Sequence, residues 1–152
     1  MPRPFEALGE AILVVEDDPW VLDLITLRLE LAGYRSFYAR SGVEGVKRLH
    51  ELRPAAMILD INMPDLDGFG VLRQMAQMEE SRRVPTLVLT ARKQEADVRT
   101  AIQLGASDFM TKPFNGDTFL ARVARLTRGK ARPRAPAPVQ SYGGGATPSV
   151  EI

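Results

Sequence analysis

Met57-Ile58-Leu59-Asp60-Ile61-Asn62-Met63-Pro64-Asp65-Leu66-Asp67-Gly68 is the stretch from which the fold is read. A short apolar run stops at a carboxylate, and a turn rich in Pro, Asp and Gly follows. An apolar run of this length between breakers reads as a buried strand of a parallel sheet. Asp60 at its end either caps the turn or carries chemistry. Which of the two holds depends on what the rest of the chain places beside it.

Outward from that strand, four further apolar runs recur: Ala11–Val15, Tyr34–Tyr38, Pro85–Leu89 and Ser107–Met110, with Ala55–Leu59 as the third of five. Segments of helical periodicity separate them. The alternation predicts βαβ units, hence an α/β fold with a doubly wound parallel sheet and helices on both faces. The second and fifth runs are shorter and more polar, as edge strands are.

Helix punctuation agrees with this layout. Asp18-Pro19 supplies an N-cap carboxylate and a proline at the first helical position, and Val21, Leu24, Ile25 and Leu29 follow as an apolar face that stops at Gly33. Ser41 with Glu44 forms a capping-box pattern for a second helix, predicted to turn Val43, Val46 and Leu49 to the sheet before Pro54. A third helix is expected from Gly68 to Glu79, burying Phe69, Leu72 and Met75. A fourth runs from Glu95 to Leu104, stopped by Gly105, and a fifth from Asn115 to Thr127, with Phe119, Leu120, Val123 and Leu126 on one side.

At 152 residues the chain is one domain with flanking segments: an N-terminal extension over 1–9, a folded body over 10–128 and a tail over 129–152. The tail holds four prolines and four glycines, too few apolar groups to offset its ordering entropy, and is expected to be disordered. Lys130, Arg132 and Arg134 against Glu151 make it basic, which leaves 17 basic and 18 acidic side chains in residues 1–128. A near-neutral body without a basic stripe does not fit direct nucleic-acid binding. No apolar run approaches the roughly 18 residues of a membrane span, and Met1–Gly9 lacks a signal-peptide pattern. The absence of cysteine excludes disulfides and thiolate metal sites and fits a reducing cytoplasm.

Ligands of a doubly wound sheet bind outside the carboxyl ends of its strands. There the sequence places Glu16, Asp17 and Asp18 after the first run, Asp60 and Asn62 after the third, Thr90-Ala91 after the fourth and Lys112-Pro113 after the fifth. Crowded carboxylates repel, and a divalent cation relieves them. An oxygen-only donor set suits Mg²⁺. A carboxylate beside such a metal can attack phosphorus, while a lysine and a hydroxyl stabilise the equatorial oxygens. Taken singly, Glu16 and Asp17 read as solvated loop acids, and Lys112 as a surface lysine before a proline.

From Ala11 to about Thr127 the chain resembles the receiver domain of bacterial two-component response regulators. The resemblance rests on Glu16-Asp17, on Asp60 with Met63-Pro64 and Asp67-Gly68, on Thr90-Ala91, and on Lys112-Pro113-Phe114. It implies a flavodoxin-like five-stranded sheet of order 2-1-3-4-5 with five helices. It further implies that Asp60 accepts phosphate from a sensor histidine kinase or a histidine phosphotransfer protein. Glu16, Asp17 and Asp60 would hold Mg²⁺ through side chains and Asn62 through its backbone carbonyl, with Thr90 and Lys112 meeting the phosphoryl group. Thr90 and Phe109 would form the switch, and the Lys112-Pro113 bond is expected to be cis. Family members also take phosphate from small donors and catalyse their own dephosphorylation.

Three departures accompany the resemblance. The acidic pair is Glu-Asp where many members have Asp-Asp, and Asp18 is assigned to the helix cap. Phe109 stands where the family often has tyrosine. Asn62 and Arg92 occupy the two positions at which the family tunes phosphoryl lifetime. Asp108 and Arg122 match a charge pair used in dimerisation by transcription-factor receivers, but Thr118 replaces the usual companion acid. The expected state is therefore a monomer or a weak phosphorylation-dependent dimer. His50, the one histidine, is read as solvent-facing, so the phosphodonor lies on another protein. The expected function is that of a single-domain cytoplasmic response regulator with an unknown downstream protein target. A phosphorelay intermediate or phosphate sink is the alternative. A Mg²⁺-dependent phosphatase is disfavoured, because Asp60-Ile61-Asn62 lacks a second carboxylate for acid–base work.

Overall fold

A computed structural model describes residues 9–128. The expectations for residues 1–8 and for the 129–152 tail lie outside the described residues. Ten elements alternate along the chain: β1 (Ala11–Val15), α1 (Pro19–Leu31), β2 (Arg35–Ala39), α2 (Gly42–Leu52), β3 (Ala56–Leu59), α3 (Gly68–Ala76), β4 (Thr86–Thr90), α4 (Glu95–Gln103), β5 (Asp108–Thr111) and α5 (Gly116–Arg128). All four strand pairings are parallel and the order is β2-β1-β3-β4-β5. The fold is thus the flavodoxin-like one, with β2 and β5 at the edges as their polarity predicted.

Strand side chains alternate between two cores, as a period of two requires. Ile12, Val14, Ile58, Leu87 and Leu89 pack with α1 and α5 around Phe119 and Phe114. Leu13, Val15, Met57, Leu59 and Val88 pack on the other face with α2, α3 and α4. Phe109, half-buried, leans on this second core. Asp18 caps α1, its Oδ1 accepting the Trp20 N–H at 2.9 Å. Ser41 caps α2 through the Glu44 N–H at 3.1 Å. Gly33 and Gly105 end α1 and α4 with φ of 96° and 109°, a region that costs other residues about 1–2 kcal/mol. The Lys112-Pro113 bond is cis.

Two helix faces differ from the periodicity. In α1, Leu22 and not Leu24 is buried with Ile25 and Leu29. This helix is apolar almost all round, so pattern alone does not choose a face. Trp20, Leu24, Leu27 and Leu31 form its outward stripe. In α2, Val43 is 60% exposed. The inward positions are Gly42, Gly45 and Leu49. A Cβ on Gly45 would lie 2.9 Å from Val15 Cγ1, so the helix backbone rests directly on the sheet and turns Val43 outward. The third helix ends at Ala76, three residues short of expectation, and four of the strands begin or end one residue later than their apolar runs.

Candidate functional site

Strand order reverses beside β1, and the site lies at the carboxyl ends of β1 and β3, where such a sheet opens a crevice. Backbone pairing continues one residue past the strands. The Asp60 N–H donates to the Val15 carbonyl at 3.0 Å, Glu16 N–H to Ala39 at 3.0 Å, and Lys112 N–H to Thr90 at 2.8 Å. Glu16, Asp60 and Lys112 are therefore set by the sheet, not by free loops.

Among the described residues, Glu16, Asp17 and Asp60 form a cluster whose ligand oxygens lie within 4.8 Å of one another. Glu16 and Asp60 are buried, and Asp17 is partly exposed. The Lys112 ammonium reaches between two of them, donating to Glu16 Oε1 at 2.5 Å and to Asp60 Oδ2 at 3.2 Å. The Asp60 Oδ1 atom accepts the Asn62 N–H at 3.2 Å, and Glu16 Oε2 accepts the Asp18 N–H at 3.2 Å. Asp18 itself points into the α1 cap, as its sequence context predicted.

Electrostatics follow from one ammonium serving two buried carboxylates. Burial pushes the Glu16 carboxyl up to about 7, and the Asp60 charge adds to this against the pull of Lys112. For Lys112, burial works against the charged form. The contacts with Glu16 and Asp60 outweigh it and raise its pKa above the ordinary lysine value. The buried pair thus carries one more negative charge than its lysine neutralises and Asp17 adds another, and a proton on Glu16 or an added cation relieves the excess. Three hard oxygen donors with this residual charge fit a small divalent cation such as Mg²⁺.

Thr90 is fully buried, and among the described residues its Oγ1 accepts a long 3.4 Å contact from the Arg92 N–H. Arg92 supplies what the sequence did not disclose. Its Nε donates to Asn62 Oδ1 at 2.8 Å and its NH1 to Asp97 at 3.1 Å, with the guanidinium 5.7 Å from the Phe69 ring centre. This ties the turn after β3 to the start of α4, and no local pattern links positions 62, 92 and 97. Phe109 lies outside the acidic cluster, on β5 opposite Val88. Beside it, Arg122 donates to Asp108 at 2.7 Å within the same chain. His50 is exposed on α2, as expected.

Residues 12–124 match the profile of the response regulator receiver domain. The DNA-binding dual master transcriptional regulator RpaA of Synechocystis is 38% identical over 117 residues, covering 77% of this chain and 48% of RpaA. Protein PilH of Pseudomonas aeruginosa is 32% identical over 118 residues, covering 78% of this chain and 98% of PilH. The chain spans about half the length of the transcriptional regulators it matches. Among solved structures, the receiver domain of the sensor histidine kinase PA1611 from Pseudomonas aeruginosa, with a magnesium ion coordinated in its active-site cleft, superposes with a TM-score of 0.74 at 32% identity, covering 79% of this chain and 98% of that one.

Proposed function

The chain belongs to the response regulator receiver family, and from that premise we propose that it is a cytoplasmic phosphoacceptor that takes phosphate on Asp60 and switches a protein-interaction surface. The observation that carries this is the acidic cluster of Glu16, Asp17 and Asp60 with the Lys112 ammonium set between Glu16 and Asp60. The donor is a phosphohistidine of a sensor kinase or phosphotransfer protein, since the one histidine of this chain, His50, is an exposed residue of α2 outside the cluster. An Asp60 carboxylate oxygen forms the new bond to phosphorus as the P–N bond of the donor breaks. The imidazole leaves with the bonding electron pair.

Glu16, Asp17 and Asp60 would hold Mg²⁺ by their carboxylates and Asn62 by its main-chain carbonyl. When bound, the metal neutralises charge on the phosphoryl oxygens. Lys112, kept charged by its two carboxylate partners, pairs with a phosphoryl oxygen. The Thr90 hydroxyl, loosely held at present, turns to another, and Phe109 follows into the space behind it. Output then passes through the α4–β5–α5 face as a shift between two packings. The near-neutral body favours a protein target over nucleic acid. Among the described residues no helix is long and apolar enough to cross a membrane.

Addition of beryllofluoride with Mg²⁺, followed by amide NMR, tests this. Resonances of Thr90, Phe109 and the α4–β5–α5 face are expected to move. Shifts confined to residues 16–18 and 60–62 would overturn the switch.

A pH prediction follows from Glu16. Its folded pKa of about 7 lies above its ordinary 4.5, so the metal-free folded state binds more protons than the unfolded chain between those values. The stabilising contribution is fully present below about pH 4.5 and is lost as pH rises through 7. A cation at the cluster replaces that proton. Mg²⁺ affinity is therefore expected to rise from pH 6 to pH 8 with proton release, measured calorimetrically in buffers of different ionisation heat. A pH-independent affinity would show that Glu16 is not a ligand.

A further inference from the structure

The turn that carries Asp60 and Asn62 is fastened by a contact that the functional reading leaves unused. At its base the Gly68 N–H donates to the Ile61 carbonyl at 2.9 Å, closing residues 61–68 into a loop. On one side Arg92 holds the Asn62 side chain. At the tip, Asp65 reaches across to another helix. Its Oδ1 accepts the Gly42 N–H and its Oδ2 the Val43 N–H, both at 3.1 Å. These are first-turn N–H groups of α2, which have no partner within their own helix.

The approach is close enough to exclude a side chain. A Cβ on Gly42 would lie 1.9 Å from the Leu66 carbonyl oxygen, and one on Gly70 would lie 2.4 Å from Leu66 Cδ1. Desolvation raises the Asp65 carboxyl, but the N–H groups of Leu66, Val43 and Gly42 outweigh it and hold the group below the usual carboxylate range. The post to which the loop is tied is itself rigid, because α2 rests by Gly45 on Val15 and buries Leu49. Ser41 caps the same helix from its own side and touches nothing in the loop through that bond.

We propose that Asp65 is a positioning residue for the metal and phosphoryl site, its carboxylate pinning the loop tip to α2 so that the Asn62 main chain stays aligned with the acidic cluster. The inference rests on the proposed role of Asn62 as a metal ligand. A carboxylate at position 65 then serves two elements at once: it completes the first turn of α2 and it removes the freedom of the loop beside Asp60. Loss of a group that orients a metal ligand typically costs about 10–100-fold in metal affinity.

The test is a titration of the full chain with MgCl₂, by amide NMR or calorimetry, in three variants. Asp65→Ala is expected to weaken Mg²⁺ binding roughly tenfold. Ser41→Ala removes the other cap of α2 and is expected to lower the melting temperature comparably, with Mg²⁺ affinity unchanged. Asp65→Asn keeps one acceptor oxygen but turns an NH2 toward the second N–H, and is expected to fall between Asp65→Ala and the unaltered chain. Unchanged affinity in Asp65→Ala overturns the proposal. So does equal weakening in Ser41→Ala, which would trace the effect to helix fraying. Failure of the underlying site looks different: the unaltered chain would bind no Mg²⁺, or bind it equally well with Asp60→Asn.

Discussion

Asp60→Asn is expected to reduce phosphoryl incorporation from a phosphorylated histidine kinase, or from a small acyl phosphate, to background. The amide keeps the shape of the carboxylate but lacks the anionic oxygen that attacks phosphorus. The fold is expected to survive, because Lys112 retains its 2.5 Å contact with Glu16. Loss of the Asp60 charge also removes one of the causes that raise the Glu16 carboxyl. Glu16 should then titrate closer to its ordinary value, which carbon-detected NMR of the side chain reports. Mass spectrometry of the intact chain measures the uptake. Persistent uptake by Asp60→Asn would place the acceptor on another oxygen of the cluster, with Asp17 the next to exclude.

Gly68→Ala is expected to cost about 3 kcal/mol of stability, near the upper end for an overpacked site. The added Cβ would lie 2.6 Å from the Asp60 carbonyl oxygen and 2.7 Å from Ile61 Cα. Both are backbone atoms, so no rotamer change relieves the clash. The backbone of the acceptor turn has to move, and Asp60 with it. A fall in the urea midpoint at unchanged slope measures the loss, and phosphoryl uptake is expected to drop even in the folded fraction. Gly105→Ala is the comparison. There the φ of 109° is strained for alanine but no heavy atom lies within 4 Å, so the cost is about 1–2 kcal/mol. If Gly105→Ala proves the more damaging, close approach is not what Gly68 provides.

Much of this molecule was legible along the chain. The five apolar runs, their breakers and the caps at Asp18 and Ser41 are local features, and the elements formed where they pointed. The outer strands were recognised because an edge strand tolerates polar residues that a central one does not. The placement of Glu16, Asp17, Asp60 and Lys112 at one end of the sheet is also legible, since each terminates or follows a run whose carboxyl end has one direction in a parallel sheet. The failures were of another kind. Periodicity places Leu24 in the core of α1 and Val43 in that of α2, whereas both face outward. The first helix is apolar almost all round, and the second approaches the sheet through glycines whose lack of a side chain leaves no apolar signal.

What the sequence by itself determined is the fold class, the order of the elements and the set of acidic and basic groups brought to one end of the sheet. Periodicity and punctuation act over a few residues, and the rules of parallel crossover then leave little choice of topology. Tertiary structure decided how those groups are paired. A single lysine meets Glu16 from 96 positions away and serves Asp60 as well, and burial at the strand ends pushes the Glu16 carboxyl up against that lysine's pull. Asp65 caps a helix 23 positions upstream, and Arg92 reaches Asn62 across 30. Hydrogen bonds over such separations depend on the distance between loops at neighbouring strand ends, and that distance is set by the packing of whole helices on the sheet.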